Sequence, residues 1–188
     1  PIASDRIVRI PPFLTEADDE RLTMAAARAR RGRRLARLKR ELQRYLLEDA
    51  FVRGIEVGGG AEGVIRTLGG RLVDAGVIDD DYVAKTIERE RMSSTAFTET
   101  LAVPHAMAMT AVRTAMAIGI AEQSMPWGES RVQVVALVAF SETDRSAFQT
   151  VFDQFVGVFA DPDNAQRLVR RGVDFAAFLD ELAAIIEG

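Results

Sequence analysis

At 188 residues, 48% apolar and 28% charged, the chain is long enough to bury one well-packed core and has the composition of an ordinary globular protein. The absence of cysteine excludes disulfides and thiolate metal sites and fits a reducing, cytoplasmic setting; no stretch approaches the roughly 20 apolar residues of a membrane-spanning helix. The net charge of −4 conceals an asymmetry, because residues 1–50 hold 12 basic and 8 acidic side chains while the remainder holds 12 basic and 20 acidic.

The start, Pro1-Ile2-Ala3-Ser4-Asp5, has neither the basic end nor the apolar run of a secretory signal. It lacks a methionine and reads as a processed start or, in preference, an excised piece of a longer protein. Ile7-Val8-Arg9-Ile10 is β-prone and stops at Pro11-Pro12, which cannot continue a ladder, so it reads as the tail of an upstream domain. Thr15 followed by Asp18 predicts a capping box that opens a long helix running toward Asp49. Unbroken, that helix would span roughly 50 Å, with Gly32 as its weak point. Its arginine-rich stretch from Arg28 to Arg44 has no interleaved aromatic residue to stack on bases, and Leu35, Leu38, Leu42 and Leu46 run through it at helical spacing. A solvated face whose leucines pack on protein is favoured over a nucleic-acid patch.

Gly58-Gly59-Gly60 marks a flexible break, dividing residues 1–57, an upstream remnant plus helical linker, from a domain at 58–188. It is no phosphate loop, since Ala61-Glu62-Gly63 follows where Gly-Lys-Ser/Thr would be needed. Val64, Leu68 and Leu72 predict a helix ended by Gly76. Asp79-Asp80-Asp81 caps the next, through Val83 and Ile87 to about Met92; the spaced ligands of a calcium loop are missing. Leu101–Ala106 and Ala115–Ala121 read as strands buried on both faces. Val132–Phe140, nearly continuous in apolar residues, reads as a central strand. Phe148, Val151, Phe155 and Phe159 predict a helix stopped by Asp161-Pro162, then a short helix around Leu168 ends at Gly172, and a last one carries Phe178, Leu182 and Ile185. The expected fold is α/β (α+β): a small mixed β-sheet flanked by helices on both faces, preceded by a long N-terminal linker helix.

His105 is the only histidine, so any imidazole chemistry passes through this ring. Pro104 fixes its own φ and pushes Val103 toward an extended conformation, placing His105 directly after a stiff strand end. A metal site would need partner histidines or cysteines, and a serine hydrolase would want a Gly-x-Ser-x-Gly elbow that is missing. General acid–base work and nucleophilic catalysis at a ring nitrogen both remain open, beside a purely structural role. Ser94, Thr95, Thr98 and Arg89 lie nearby in sequence and would supply donors to an anionic group.

The run Glu88-Arg89-Glu90, Ser93-Ser94-Thr95, then Leu101-Ala102-Val103-Pro104-His105 resembles the signature of fructose/mannitol-type IIA domains of the bacterial phosphoenolpyruvate-dependent sugar phosphotransferase system. The similarity continues through the Trp127-Gly128 turn, the strand at 132–140, the following helix and a last helix near 175–186, covering about residues 60–188. The resemblance implies that His105 accepts a phosphoryl group from the histidine phosphocarrier HPr, with Arg89 neutralising its charge. Ser94 and Thr95 are implied phosphate or partner contacts. Glu88 or Glu90 would fix Arg89 or the ring tautomer, the choice between them being open. Mannitol-type domains carry a second histidine near the start of the helix after the long strand. Here that place falls near 145–147, without a histidine, which makes Arg145 the candidate to take over. Neither a cofactor nor a metal is implied.

Ile7 to Asp18 is similar to the junction of a IIB-like domain with its linker in phosphotransferase-controlled regulators. This implies the C-terminal phosphoacceptor module of a transcriptional activator or antiterminator. Its partners would be HPr, a IIB-like domain in cis or trans, and upstream regulatory domains. Direct nucleic-acid binding by this stretch and membrane insertion are not expected; pairing through the long helix stays open. Two other readings are a IIA transporter component relaying phosphate from HPr to IIB, and a partner-binding domain that no longer takes phosphate.

Overall fold

The computed structural model describes residues 15–143 and 145–188, and of Arg145 and Ser146 the backbone alone; the strand expected at Ile7–Ile10 lies outside the described residues. In chain order the elements are α1 (Glu16–Leu42), β1 (Leu46–Arg53), α2 (Gly60–Asp74), α3 (Asp80–Met92), β2 (Leu101–Ala102), β3 (Thr110–Trp127), β4 (Ser130–Ser141), α4 (Arg145–Val158), α5 (Pro162–Arg171) and α6 (Phe175–Glu187).

The capping box forms. Thr15 Oγ1 accepts from the Asp18 amide at 3.3 Å, and the Asp18 carboxylate accepts from the Thr15 amide at 3.0 Å and hydroxyl at 2.7 Å. Those Thr15 bonds, helped by the Arg21 guanidinium, lower the Asp18 carboxyl to about 2. A depressed acid stabilises the folded state fully above its ordinary value, and that contribution fades as pH falls through the folded value. A titration followed on the Thr15 and Asp18 amide signals is therefore expected to show a midpoint near 2; a midpoint at the ordinary 3.8 would mean the cap does not hold.

Beyond the cap, α1 passes Gly32 without a break and stops at Leu42, not at Asp49. Its last turn buries Leu38 and Leu42 and half-buries Leu35, while Arg34 pairs with Glu187 at 2.9 Å and Lys39 with Asp180, fastening α1 to α6. After a turn at Gln43–Tyr45 the chain switches to β1, an edge strand parallel to β3. The leucine spacing that predicts helix through Leu46 is overridden because Leu46, Ala50 and Phe51 gain sheet pairing and burial instead. Residues 46–53, on the linker side of the expected 57/58 division, thus belong to the same sheet.

The sheet order is β1-β3-β4-β2, with β1–β3 and β2–β4 parallel and β3–β4 antiparallel. This is the mixed sheet expected. Alternation along β3 and β4 sends Met116, Ile118, Val134 and Ala136 toward α1, α4, α5 and α6. Ala115, Ala117, Val135 and Leu137 point to α2 and α3. Helices cover both faces, so both central strands are buried on both sides. On the α2 side small residues set a close approach: a Cβ on Gly119 would stand 2.9 Å from Ile55 and 3.3 Å from Leu68. The strand expected over Leu101–Ala106 shrinks to two residues, because Pro104 has no N–H to continue the ladder. Its carbonyl still accepts from the Val138 amide at 2.9 Å, and His105 forms an isolated parallel bridge to Val138.

Candidate functional site

His105 is half-buried at the point where β2 leaves the sheet. Its Nδ1 lies 2.9 Å from the Val103 carbonyl. A carbonyl can only accept, so Nδ1 carries the proton, and a neutral ring keeps its lone pair on Nε2. The ring plane is fixed by an edge-to-face contact with Phe140, centroids 5.9 Å apart at 83°. Phe140 in turn stacks edge-on against Phe148 at 5.7 Å, so the imidazole leans on an aromatic column rooted in the core.

Thr95, a buried residue, is joined to three others by four hydrogen bonds. Its carbonyl accepts from the Val103 amide at 2.9 Å. Its own amide donates to Glu90 Oε1 at 3.0 Å and its hydroxyl donates to Glu90 Oε2. The indole N–H of fully buried Trp127 donates to the same hydroxyl at 3.4 Å. Ser94 continues the attachment, its hydroxyl donating to the Trp127 carbonyl at 3.3 Å and accepting from the Ala96 amide at 3.2 Å. Trp127 closes the β3–β4 hairpin opposite Ser130, with Gly128 at φ 60°. A Cβ there would meet Ser94 at 2.6 Å, so glycine serves both the turn and the packing.

Tyr82, at the start of α3, secures the other flank. Its hydroxyl accepts from the Phe140 amide at 2.9 Å and sits 3.5 Å from the Val138 carbonyl. Burial pushes the phenol up, opposed by its interactions with the Phe140 and Ala106 amides. One hydroxyl therefore ties α3 to β4 at Val138 and at Phe140, the residue whose ring meets the imidazole.

Among the described residues no hydrogen bond joins the other expected site residues to His105. Arg89 is half-buried near the end of α3, and its Nη1 donates to the Ser93 carbonyl at 2.8 Å, the helix-end role expected of a basic side chain there. Glu88 is exposed. Of the two glutamates it is Glu90 that faces inward, and its partner is Thr95, not Arg89. Arg145 begins α4, with its side chain outside the described residues. Tyr82, Val103 and Phe140 were not legible as site residues, because their roles rest on one hydroxyl, one main-chain carbonyl and one ring edge. Two shallow hollows of about 450 Å³ lie by the hairpin turn, lined by Ser93, Ser94, Gly128 and Glu129 and by Gly59, Glu62 and Arg91; His105 lines neither. Among the described residues no group of three or more His, Asp or Glu is placed to hold a metal ion, and no helix is long and apolar enough to cross a membrane.

Comparison with known proteins supplies the family and the fold. The transcriptional regulator ManR of Bacillus subtilis is 28% identical over 119 residues, which is 63% of this chain but 18% of that regulator, so the chain spans under a fifth of the relative's length. The mannitol-specific phosphotransferase enzyme IIA component of Halalkalibacterium halodurans is 26% identical over 126 residues, 64% of this chain and 85% of its own. The crystal structure of IIA mannitol from Escherichia coli shares the fold, with a TM-score of 0.61 at 21% identity, covering 71% of this chain and 96% of that one. Residues 47–183, most of the chain and all of the sheet but its first residue, match the model of one family, and the protein belongs to it: the EIIA 2 family of the phosphoenolpyruvate-dependent sugar phosphotransferase system.

Proposed function

We propose that His105 is the phosphoacceptor of this domain and that it takes its phosphoryl group from the phosphohistidine of HPr. The observation that carries the reading is the Nδ1–H bond to the Val103 carbonyl, which leaves Nε2 as the nucleophilic atom of a half-exposed ring. In the step, the Nε2 lone pair forms a bond to phosphorus while the donor's N–P bond breaks. The electron pair of that bond returns to the donor imidazole. His105 loses no proton; its ring gains positive charge as the new bond forms, so the Nδ1–H bond to Val103 strengthens on the way to the transition state. A guanidinium has five N–H donors, and Arg89 gives one to Ser93, so others can meet the phosphoryl oxygens. A partly exposed ring that lines neither hollow suits a donor that is itself a protein.

The likeness to ManR supports a regulatory output, in which added negative charge alters a docking surface toward upstream domains or a IIB-like domain. A second reading, the relay of phosphate to a separate IIB component, is favoured by the 85% coverage of the mannitol IIA relative. The test is to incubate the protein with phosphoenolpyruvate, enzyme I and HPr. One acid-labile, base-stable phosphate per chain is expected, absent when HPr is omitted. No incorporation at saturating phospho-HPr would overturn the reading, and subsequent loss of phosphate to an added IIB would favour relay over regulation.

A further inference from the structure

We infer that Glu90 is a positioning residue for His105, acting through Thr95 and Val103 to select Nε2 as the reacting nitrogen. The inference rests on the phosphoacceptor reading for its purpose, but its physical content can be measured without phosphate. Glu90 offers both carboxylate oxygens to one residue: Oε1 to the Thr95 amide at 3.0 Å, Oε2 to its hydroxyl. Two bonds from one rigid carboxylate remove the rotation as well as the translation of Thr95, and charge-assisted bonds of this kind are the strong ones. Thr95 is 8% exposed and Trp127 is fully buried, while Glu90 also lines the hollow beside Gly59 and Arg91; water entering from there can satisfy the Thr95 donors but cannot hold them in one place as a carboxylate does.

The next link is the Thr95 carbonyl, which holds the Val103 amide at 2.9 Å. Val103 is thereby gripped on its N-terminal side, while Pro104, with its fixed φ, stiffens the other. Between these two constraints lies the Val103 carbonyl that accepts Nδ1–H. The amide and the carbonyl of Thr95 belong to different peptide groups, as do those of Val103. Charge is therefore not conducted along this path; what passes along it is placement. Without a fixed acceptor at Nδ1, a neutral ring can carry its proton on Nε2, where no lone pair remains for phosphorus.

The experiment uses the fact that the chain has one histidine, so long-range 1H–15N spectra of the labelled protein show a single imidazole. At mildly alkaline pH the native protein is expected to show the Nδ1–H tautomer. Glu90→Ala should move half or more of the population to Nε2–H, whereas Glu90→Gln, which keeps an acceptor for the Thr95 amide, should restore the native pattern. Should Glu90→Ala fail to fold, Thr95→Val tests the same path by removing the hydroxyl that bonds both Glu90 and Trp127. In labelling assays Glu90→Ala should lower kcat about tenfold with KM for phospho-HPr little changed, the signature of lost positioning and not of lost binding. A Glu90→Ala ring spectrum identical to the native one would overturn the inference, even if native protein is phosphorylated. A shifted tautomer in a protein that takes no phosphate would uphold the positioning and sink the phosphoacceptor reading instead.

Discussion

His105→Ala is expected to abolish acid-labile phosphate incorporation, a loss of roughly a thousandfold or more, because a covalent intermediate cannot form without its nucleophile. The chain has no other imidazole and no thiol to substitute. The result is interpretable because the ring is only partly buried and its aromatic contact is a single edge-to-face pair with Phe140. Aromatic contacts of that kind are worth about 0.5–1.5 kcal/mol beyond area burial, too little to unfold a domain of this size. Thermal unfolding within a few degrees of the native protein, together with absent labelling, would assign the loss to chemistry. Labelling that persists in His105→Ala would place the phosphate elsewhere and remove the function proposed for this site.

Tyr82→Phe is expected to destabilise the fold by about 2–3 kcal/mol, since a buried main-chain donor then loses its acceptor. The Phe140 amide, 2.9 Å from the hydroxyl, has no replacement in a phenyl ring, and the contact with the Val138 carbonyl disappears with it. For a domain of this length each kcal/mol shifts Tm by roughly 2–4 °C, so a fall of about 4–12 °C should be seen by calorimetry. Phosphorylation should also slow, because Phe140 and Ala106 frame the ring. Tyr82→Phe with native Tm would show that these bonds do not hold the strand end, and the account of the site's second flank would be wrong.

Much of the fold was legible because caps and burial patterns act locally. Thr15 and Asp79, read as caps, each accept an amide in the first turn of the helix they open, and Gly76 and Gly172 follow the ends of α2 and α5. The apolar run at 132–140 is the core of β4, buried on both faces as its lack of alternation implies. Where reading failed, two local signals competed. Leu35, Leu38, Leu42 and Leu46 keep helical spacing across a boundary where the chain turns and pairs with β3 at Leu46↔Met116. No residue between Leu42 and Leu46 forbids helix, and the decision was made by a partner strand some 70 residues away. At Leu101–Ala106 the proline truncates a ladder whose apolar pattern runs on.

For the candidate site the division is just as clear. Composition alone, with one histidine and no cysteine, confined imidazole chemistry to a single position, and Pro104 beside it announced a rigid setting. Neither fact says which ring nitrogen is free, or whether Glu88 or Glu90 turns inward. Those depend on hydrogen bonds donated by Thr95 to Glu90, by Val103 to Thr95 and by Trp127 to Thr95, spanning 5, 8 and 32 residues. Helix periodicity leaves both glutamates on plausible faces; only the packing of α3 against the hairpin, which buries one face and leaves the other in water, tells them apart. A hydrogen bond is directional over about 3 Å, and distances that short between remote residues exist only once the chain has closed on itself.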